Sequence, residues 1–543
     1  MSWDFIIIGA GSAGCVLANR LSADPRHKVL LLEAGGDDSR FTIKIPALAM
    51  KAMNNPETDW MFPTEPDPTR NNRTEIVPRG RVLGGSSSIN ATWYVRGNRG
   101  DYDHWAALGN EGWSYDELLP YFKKVECNRD GVSDIYGKSG SIVVSEIRGV
   151  PRLTRVFLDA MEEIGYPRNV SFNAEPTEGV AILHSTQHRG IRWSAARGYL
   201  DPAKGRANLK IVTGALVRRV LVDNNTAVGV EFDIDGRTNV ERCSGEVVLS
   251  ASAINSPRIL MHSGIGPADQ LADAGIKVIF GNKAVGLNLQ EHPACQVKAF
   301  VNVRTANQEF NALGMIKHGA RFVLSRSGQA TFSYSGVGLI RTKPELRYPD
   351  IQYHFGAFSS SYTDKGIRME KEAAVNLQPN VNNSRSRGYV KLNSAEPFAS
   401  PNIQFNMLSD PYDCETLIAG ARIARSALRS KAFAPYFMGE CKPGDDVQTD
   451  DEWLAYIREN AGGSFHPCGT CKMGVDADAV VTPELKVIGI DRLRVVDSSI
   501  IPQIPSGNLN AISLVIGEKG AEMILEERYG TKARRPKAVT GVV

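Results

Sequence analysis

The N-terminal stretch reads Asp4-Phe5-Ile6-Ile7-Ile8-Gly9-Ala10-Gly11-Ser12-Ala13-Gly14, and a second apolar run, Val29–Leu32, leads into Glu33. The two runs predict buried strands, and the residues from Ser12 onward predict a helix between them. In such a unit Gly9 permits a tight turn, Gly11 lets the backbone approach a pyrophosphate, and Gly14 lets the helix pack on the strand. Glu33 stands where a carboxylate accepts the hydroxyl protons of a ribose. The stretch therefore predicts a dinucleotide site and leaves NAD and FAD open, although Glu33-Ala34-Gly35 is more typical of flavoproteins.

The composition is that of a globular protein. The chain has 543 residues, of which 42% are hydrophobic and 23% charged, and size predicts two to four units or two larger interleaved ones. A net charge of +3 is too small to indicate a nucleic-acid partner. No apolar run approaches the roughly 18–20 residues of a membrane-spanning helix, so we expect no integral membrane segment. A strand-like run stands at the N-terminus where an export signal would be, so we expect a cytoplasmic location. The eight cysteines are too sparse for a disulfide framework, so we expect free thiols.

Longer motifs carry a family resemblance. They are Pro78-Arg79-Gly80-Arg81-Val82-Leu83-Gly84-Gly85-Ser86-Ser87-Ser88-Ile89-Asn90, Ser252-Ala253-Ile254-Asn255-Ser256-Pro257, Val285-Gly286-Leu287-Asn288-Leu289-Gln290-Glu291-His292 and Arg494-Val495-Val496-Asp497. In this order they resemble the glucose-methanol-choline (GMC) oxidoreductase family, over residues 4 to about 528. The sequence as a whole is most similar to bacterial family members that resemble choline and alkanol dehydrogenases.

The resemblance implies FAD as the cofactor. Beside Gly9, Gly11, Gly14 and Glu33, it implies that FAD is contacted by Ser12, Ala13, Ala34, Arg81, Gly84, Gly85, Ser86, Asn90, Ala91, Val217, Asp497 and Asn510. Some members attach FAD covalently through a histidine within the Gly-Gly-Ser segment. Ile89 stands at the corresponding position and has no nucleophilic atom, so we expect non-covalent FAD.

The C-terminal part carries the catalytic candidates. It contains Gly462-Gly463-Ser464-Phe465-His466-Pro467-Cys468-Gly469-Thr470-Cys471 and, further on, Pro505-Ser506-Gly507-Asn508-Leu509-Asn510. By resemblance, the catalytic pair is His466 and Asn510. A hydride leaves an alcohol carbon readily only as the oxygen becomes alkoxide-like, so a base is needed. Histidine, with an unperturbed pKa of about 6.5, suits that role, and an asparagine can donate a hydrogen bond to the developing alkoxide. The resemblance implies that the hydride goes to flavin N5.

The pair Cys468 and Cys471 also matches a C-x-x-C pattern. Such a pair can form a redox dithiol or half of a zinc site. No second C-x-x-C or histidine pair stands at zinc spacing, so we predict no metal site.

The combined interpretation is FAD-dependent oxidation of a primary alcohol, aliphatic or aromatic, to the aldehyde. Electrons would pass to a quinone-type acceptor or to O₂, and the resemblance favours the first. The alternatives are an FAD-containing lyase similar to hydroxynitrile lyases and a light-driven decarboxylase, since the family includes both. The choice of alcohol, the residues that select it and the oligomeric state stay open at this point.

The predicted fold class is α/β, with a Rossmann-like FAD-binding domain interleaved with a substrate domain over an antiparallel sheet. By resemblance, the FAD-binding domain comprises residues 1–149, 191–295 and 462–530, and the substrate domain residues 150–190 and 296–461. Residues 41–76 are expected to cover the cofactor as a loop. The basic tail 531–543 is predicted to be disordered, with a weak contact to anionic membranes as the alternative.

Overall fold

The computed structural model describes residues 2–530 except 132, 310, 364 and 365. The tail 531–543, and with it the prediction about its order, lies outside the described residues. The helices of the described part are α1 (Ser12–Leu21), α2 (Phe41–Lys44), α3 (Ala49–Ala52), α4 (Arg99–Ala107), α5 (Tyr115–Val125), α6 (Arg152–Glu163), α7 (Ser252–His262), α8 (Ala268–Asp273), α9 (Ala306–Glu309), α10 (Ala312–Ser325), α11 (Pro411–Leu428), α12 (Asp450–Asn460) and α13 (Asn510–Tyr529).

A seven-stranded sheet is built around the N-terminal strand. Its strands lie in the order Leu209–Val212, Val29–Leu32, Ser2–Ile8, Arg237–Leu249, Thr226–Ile234 and Leu216–Asp223, and Leu493–Val495 also pairs with Arg237–Leu249. The central strands are parallel and buried, as their continuous apolar sequence requires. α1 meets α13 closely, because a Cβ on Gly517 would lie only 2.9 Å from the Cα of Ala13. The βαβ unit predicted from the first motif is confirmed.

The second large sheet is antiparallel. Its strands lie in the order Phe437–Lys442, Val297–Val301, Ala374–Val381, Ile351–Gly356, Gly336–Ile340 and Gly179–Ile182, with the short strands Pro293–Ala294 and Gly462–Gly463 attached. On one face Tyr353, Phe355 and Leu377 join an apolar core with Leu417 and Ala421 of α11. This core fixes which face of the sheet is turned away from the candidate site.

The other face of the antiparallel sheet is polar. Successive side chains of a strand point to opposite faces, so Gln352 and His354 lie opposite Tyr353 and Phe355. His354 pairs in register with Gln378 of the neighbouring strand, and all three polar side chains are buried. The sheet therefore supplies buried polar groups on the side where the site is built.

The chain alternates between the two sheets, as the interleaved two-domain prediction requires. The strands Pro293–Ala294 and Gly462–Gly463 lie on the FAD-binding side of the predicted boundaries, yet they are hydrogen-bonded to each other, and Ala294 pairs with Asn380 of the antiparallel sheet. These two segments thus connect the two units, and the domain boundaries stay predictions.

Short strands complete the structure. They are Phe62–Pro63 with Ile76–Val77, Glu126–Asn128 with Ile142–Glu146 and His184–Ser185, Gln187–His188 with Ile191–Arg192, Ile265–Gly266 with Phe280–Gly281, Leu287–Leu289 with Gly388–Lys391 and Asn402–Gln404, and Ser360–Thr363 with Gly366–Met369. Within the described ranges, no helix combines the length and the apolar composition that crossing a bilayer requires.

Candidate active site

Two adjoining cavities lie between the sheets. The first, here the nucleotide cavity, is lined by residues that include Gly11, Glu33 and Asp497. The second, here the inner cavity, is lined by residues that include His466 and Asn508. Both are lined by Ser12, Arg79, Ser86, Ser498 and Ser513. The two cavities therefore form one elongated space, which can hold a ligand made of two linked halves.

The glycine turn before α1 leaves a cradle at one wall of the nucleotide cavity. Gly9 has a φ of +98°, and a Cβ on Gly14 would lie 1.9 Å from the carbonyl oxygen of Gly9. A Cβ on Gly11 would meet only the carbonyl oxygen of Ser250, at 3.8 Å. Gly14 is thus required by packing, whereas the space beside Gly11 is open to a ligand. The N-terminus of α1 begins there, and its N–H groups suit a pyrophosphate.

Two buried carboxylates frame the same cavity. Glu33 accepts hydrogen bonds from the backbone N–H groups of Ala10 and Gly35, both at 2.8 Å, and burial raises its pKa to about 7. Asp497 accepts from the N–H of Ser252 at 2.9 Å and from the hydroxyl of Ser256 at 2.6 Å, and burial raises its pKa as well. Backbone N–H groups hold both carboxylates in place. The carboxylate oxygen lone pairs that remain free therefore point in fixed directions.

The predicted cofactor residues gather around these cavities. The nucleotide cavity is lined by Gly9, Gly11, Ser12, Ala13, Glu33, Ala34, Gly85, Ser86, Val217 and Asp497. Asn90, Ala91 and Asn510 line the inner cavity. Gly84 supports the wall from behind, since its N–H donates to the carbonyl oxygen of Ala10 at 2.8 Å. The guanidinium of Arg81 lies 5.0 Å from the ring centre of Trp60, which itself lines the nucleotide cavity.

Arg258, to which no sequence motif assigned a role, also lines the nucleotide cavity. This α7 side chain is buried, and its Nε has no hydrogen-bond partner among the described residues. Desolvation lowers its pKa to about 10. A buried cation with an unfilled N–H is costly unless an anionic group reaches it, so the residues present fit an anionic dinucleotide. Its position directly after the Ser252–Pro257 motif was the available signal.

The peptide unit between Phe465 and His466 is held from both sides. Phe465 has a φ of +66°, a strained conformation for a bulky residue. Its carbonyl oxygen accepts from Nη2 of Arg79 at 2.7 Å, and the N–H of His466 donates to both carboxylate oxygens of Glu291 at 2.8 Å. Burial raises the pKa of Glu291 to about 8. Arg79 and Glu291 therefore clamp the backbone that carries His466, a role that sequence analysis did not assign.

A chain of hydrogen bonds determines which nitrogen of His466 carries a proton. His292 Nε2 lies 3.0 Å from the carbonyl oxygen of Pro505, which can only accept, so this nitrogen is protonated. Burial lowers the pKa of His292 to about 4, so the ring is neutral and its Nδ1 is an acceptor. His466 Nδ1, at 2.9 Å from it, must donate. In a neutral ring His466 Nε2 is then unprotonated, and it faces Nδ2 of Asn508 at 3.0 Å.

The structure places Asn508, and not the predicted partner Asn510, beside His466, and the catalytic role of either asparagine stays a prediction. Asn508 is the asparagine beside the imidazole, and its Oδ1 accepts from Nε2 of Gln352 at 3.0 Å, which turns its Nδ2 toward His466. Asn510 is the first residue of α13, and its Oδ1 accepts from the hydroxyl of Ser12 at 3.1 Å. Two asparagines two residues apart cannot be told apart by sequence, because the choice depends on how the loop meets the strand Ile351–Gly356.

One further cluster has the composition of a metal site. Among the residues that the structure describes, Glu291, His292 and His466 bring ligand atoms within 4.8 Å of one another. These groups already take part in the hydrogen bonds given above. The eight cysteines are free, as predicted, and burial raises the pKa of both Cys468 and Cys471. A thiol held in its protonated form is a poor nucleophile and a poor metal ligand.

Known proteins match this chain over nearly its whole length. The models of the GMC oxidoreductase family match residues 3–294 and 384–517. An oxygen-dependent choline dehydrogenase of Brucella anthropi is 41% identical over 529 residues, which are 97% of this chain and 96% of the relative. A structure of Aspergillus oryzae formate oxidase, solved to study modification of its FAD, has a TM-score of 0.89 at 26% identity. The match covers 97% of this chain and 99% of the formate oxidase chain. A fungal aryl-alcohol oxidase has a TM-score of 0.81 at 25% identity, with coverage of 97% and 99%.

The glycine cradle, the buried Glu33 and the unpaired guanidinium N–H of Arg258 fit FAD, and both family models match. FAD is accordingly the cofactor, as predicted. The predicted resemblance is confirmed, and the chain belongs to the GMC oxidoreductase family.

Proposed function

We propose that this GMC oxidoreductase converts a neutral primary alcohol, aliphatic or aromatic, to the aldehyde, with Nε2 of His466 as the base. The observation that carries the proposal is the hydrogen-bond chain that leaves this nitrogen unprotonated inside the inner cavity. When bound, FAD supplies the acceptor for the hydride that leaves the alcohol carbon.

The two polar groups at the inner cavity suit one substrate oxygen. Nε2 of His466 and Nδ2 of Asn508 lie 3.0 Å apart, so a single hydroxyl can contact both. His466 accepts the hydroxyl proton, and its Nδ1–H stays bonded to Nδ1 of His292. Asn508 donates to the oxygen as negative charge develops there, while Gln352 keeps the amide in that orientation. The clamp on the Phe465–His466 peptide holds the base in place without any movement of the backbone.

The lining of the inner cavity supports a neutral substrate. Trp93, Tyr334 and Phe358 form an aromatic wall, with ring centres 6.1 Å and 5.0 Å apart along the series. Met50 and Met53 also line it. No Asp or Glu is present among its lining residues within the described part of the chain. A quaternary ammonium could contact the aromatic faces, but it would find no carboxylate partner and would share the cavity with the cationic Arg79. An apolar chain or an aromatic ring would pack on the same wall without that cost.

An anaerobic substrate panel tests the proposal. The purified holoenzyme is mixed with benzyl alcohol, 1-butanol or choline, and bleaching of the oxidised flavin band is followed. We expect benzyl alcohol and 1-butanol to reduce the flavin at lower concentrations than choline. Preference for choline would contradict the neutral-substrate proposal. Flavin that no alcohol reduces would favour the lyase or the light-driven decarboxylase.

The same samples decide the electron acceptor, which we propose to be of the quinone type or O₂. Air or a soluble quinone is admitted to the reduced enzyme, and reoxidation and peroxide are measured. Faster reoxidation by the quinone, with little peroxide, would assign a dehydrogenase. Stoichiometric peroxide would assign an oxidase.

The FAD is expected to be bound without a covalent link. Ile89, which lines the inner cavity, offers the flavin only carbon atoms. Acid precipitation of the holoenzyme should therefore leave essentially all flavin absorbance in the supernatant. Yellow colour that stays in the washed protein pellet would contradict this prediction.

The pH dependence follows from the surroundings of His466. Burial holds the pKa of His466 well below its ordinary value of about 6.5, and the neighbouring His292, His354 and Arg79 lower it further. The base is active when neutral, so a lowered pKa keeps it active through pH 6.5 and removes activity only at more acid pH. We expect kcat/KM for alcohol oxidation to stay level from neutral pH through 6.5. An acidic limb centred at or above pH 6.5 would contradict this.

A further inference from the structure

α10 exposes an unusual amount of apolar side chain. Among the described residues, Leu313 is 80% exposed, Ile316 69%, Val323 68% and Leu324 86%, and Met315 is 54% exposed on the same helix. Surface helices normally turn such side chains toward the core. A contiguous exposed apolar face of this kind marks a binding surface.

The four most exposed side chains lie on one face of the helix. Leu313, Ile316, Val323 and Leu324 are spaced by three, seven and one residues, so they recur on the same side at 3.6 residues per turn. The opposite side is turned toward the protein, where Gly314 is buried and His318 and Phe322 are half-buried. We name the outward set Leu313, Ile316, Val323 and Leu324 the apolar stripe.

The surroundings of the apolar stripe are basic. Residues 311–344 contain no Asp or Glu, whereas α10 and its C-terminal cap carry Lys317, Arg321 and Arg326. A hollow beside α10 is lined by Arg152, Arg304, Lys317 and Arg321, and Glu309 is the one acid among the described residues that line it. Glu309 lies 3.0 Å from Nζ of Lys317, so the lining keeps an excess of positive charge. Such a hollow suits phosphate groups.

The basic hollow has an apolar cavity as its neighbour. This second cavity is lined by Met50, Phe332, Phe358 and Met369, and His318 of α10 lines both spaces. It shares Met50, Ser333 and Phe358 with the inner cavity, so the two adjoin across a single layer of side chains. α10 therefore lies beside a cavity that adjoins the candidate active site.

We propose that α10 docks the protein onto an anionic lipid bilayer. The apolar stripe enters the boundary between headgroups and acyl chains, and Lys317, Arg321 and Arg304 contact lipid phosphates. An apolar face edged by cations is the pattern of helices that lie in a membrane interface. A symmetric contact between two copies would bring the basic flanks of α10 close to one another, with no acid on 311–344 to offset them. Docking through α10 would place the cavity beside this helix near the lipid surface.

Vesicle co-sedimentation of the full-length holoenzyme tests the proposal. Vesicles of phosphatidylcholine are compared with vesicles that also contain phosphatidylglycerol. We expect the wild type to pellet with the second kind, and less of it at high salt because exposed charges are screened. The triple variant Leu313→Ser, Ile316→Ser, Leu324→Ser should lose about tenfold or more in partition coefficient, since three apolar contacts with the lipid are removed.

Val240→Ser is the matched control. Val240 is 50% exposed and belongs to the strand Arg237–Leu249 of the other sheet, so its variant should bind vesicles like the wild type. All proteins retain residues 531–543, and the difference between variants therefore reports α10 alone. Both variants should oxidise a short water-soluble alcohol at the wild-type rate, which shows that they fold and bind FAD.

Three outcomes would overturn the proposal. The first is wild-type protein that stays in the supernatant with phosphatidylglycerol vesicles, and the second is a triple variant that pellets as well as Val240→Ser. The third is a wild-type oligomer that dissociates to monomers in the triple variant, measured by light scattering, while neither protein binds vesicles. The apolar stripe would then be a contact between copies of the chain.

Discussion

The His466→Ala variant is expected to reduce its flavin with alcohol about 10²- to 10⁴-fold more slowly than the wild type, expressed as kcat/KM, while it retains FAD. In the proposed function the unprotonated Nε2 accepts the hydroxyl proton in the inner cavity, and alanine would leave only water to take it. The FAD contacts of the nucleotide cavity do not involve this side chain, so the flavin content should stay at the wild-type level.

Two further measurements separate loss of the base from loss of structure. Added imidazole should restore part of the rate of His466→Ala, because it supplies a neutral nitrogen base to the space that the side chain leaves. His104→Ala, at an exposed position of α4, should behave like the wild type. Flavin reduction by His466→Ala at the wild-type rate would show that His466 is not the base.

Local sequence patterns predicted the elements that hold the cofactor. The strands Ser2–Ile8 and Val29–Leu32 and the helix that follows the glycine turn are all present. These features depend on interactions within a few residues, such as apolar periodicity, capping and glycine turns, which a sequence displays directly.

The arrangement around His466 could not be predicted in the same way. The hydrogen bond from Asn508 to His466 joins positions 42 residues apart, and that from Gln352 to Asn508 joins positions 156 apart. Glu291 stands inside a quoted family motif with no role assigned to it, yet it holds the His466 N–H. Whether a side chain reaches its partner depends on the register of distant strands, and the motifs alone do not carry that information.

The exposed face of α10 also could not be predicted from the sequence. The sequence 312–325 is apolar enough to be mistaken for a core helix, and periodicity alone does not tell which side meets the protein. The structure decides it, because Gly314, His318 and Phe322 occupy the inner side and the larger aliphatic residues point outward. The inner side meets the protein through these three residues, and the apolar stripe has no partner in the described part of the chain.

The Asn508→Ala variant should lose about 10²- to 10³-fold in kcat/KM for alcohol oxidation, corresponding to about 2.7–4 kcal/mol of transition-state stabilisation. Its Nδ2 is the donor that lies beside the base, and alanine leaves the developing alkoxide without that hydrogen bond. Asn510→Ala should instead keep a nearly normal rate at saturating FAD, because the Asn510 side chain accepts a hydrogen bond from Ser12 at the start of α1 rather than contacting His466. Its expected effect is weaker retention of FAD during gel filtration.

A double-mutant cycle makes the assignment decisive. If Asn508 and His466 act on the same oxygen, the double variant should lose much less than the product of the two single losses, since residues that act as a unit are not additive. Asn510→Ala combined with His466→Ala should show independent effects on rate and on FAD retention. The opposite pattern, with Asn510 coupled to His466 and Asn508→Ala active, would mean that the amide beside the base in the structure is a support. The pairing first suggested by sequence would then be the catalytic one.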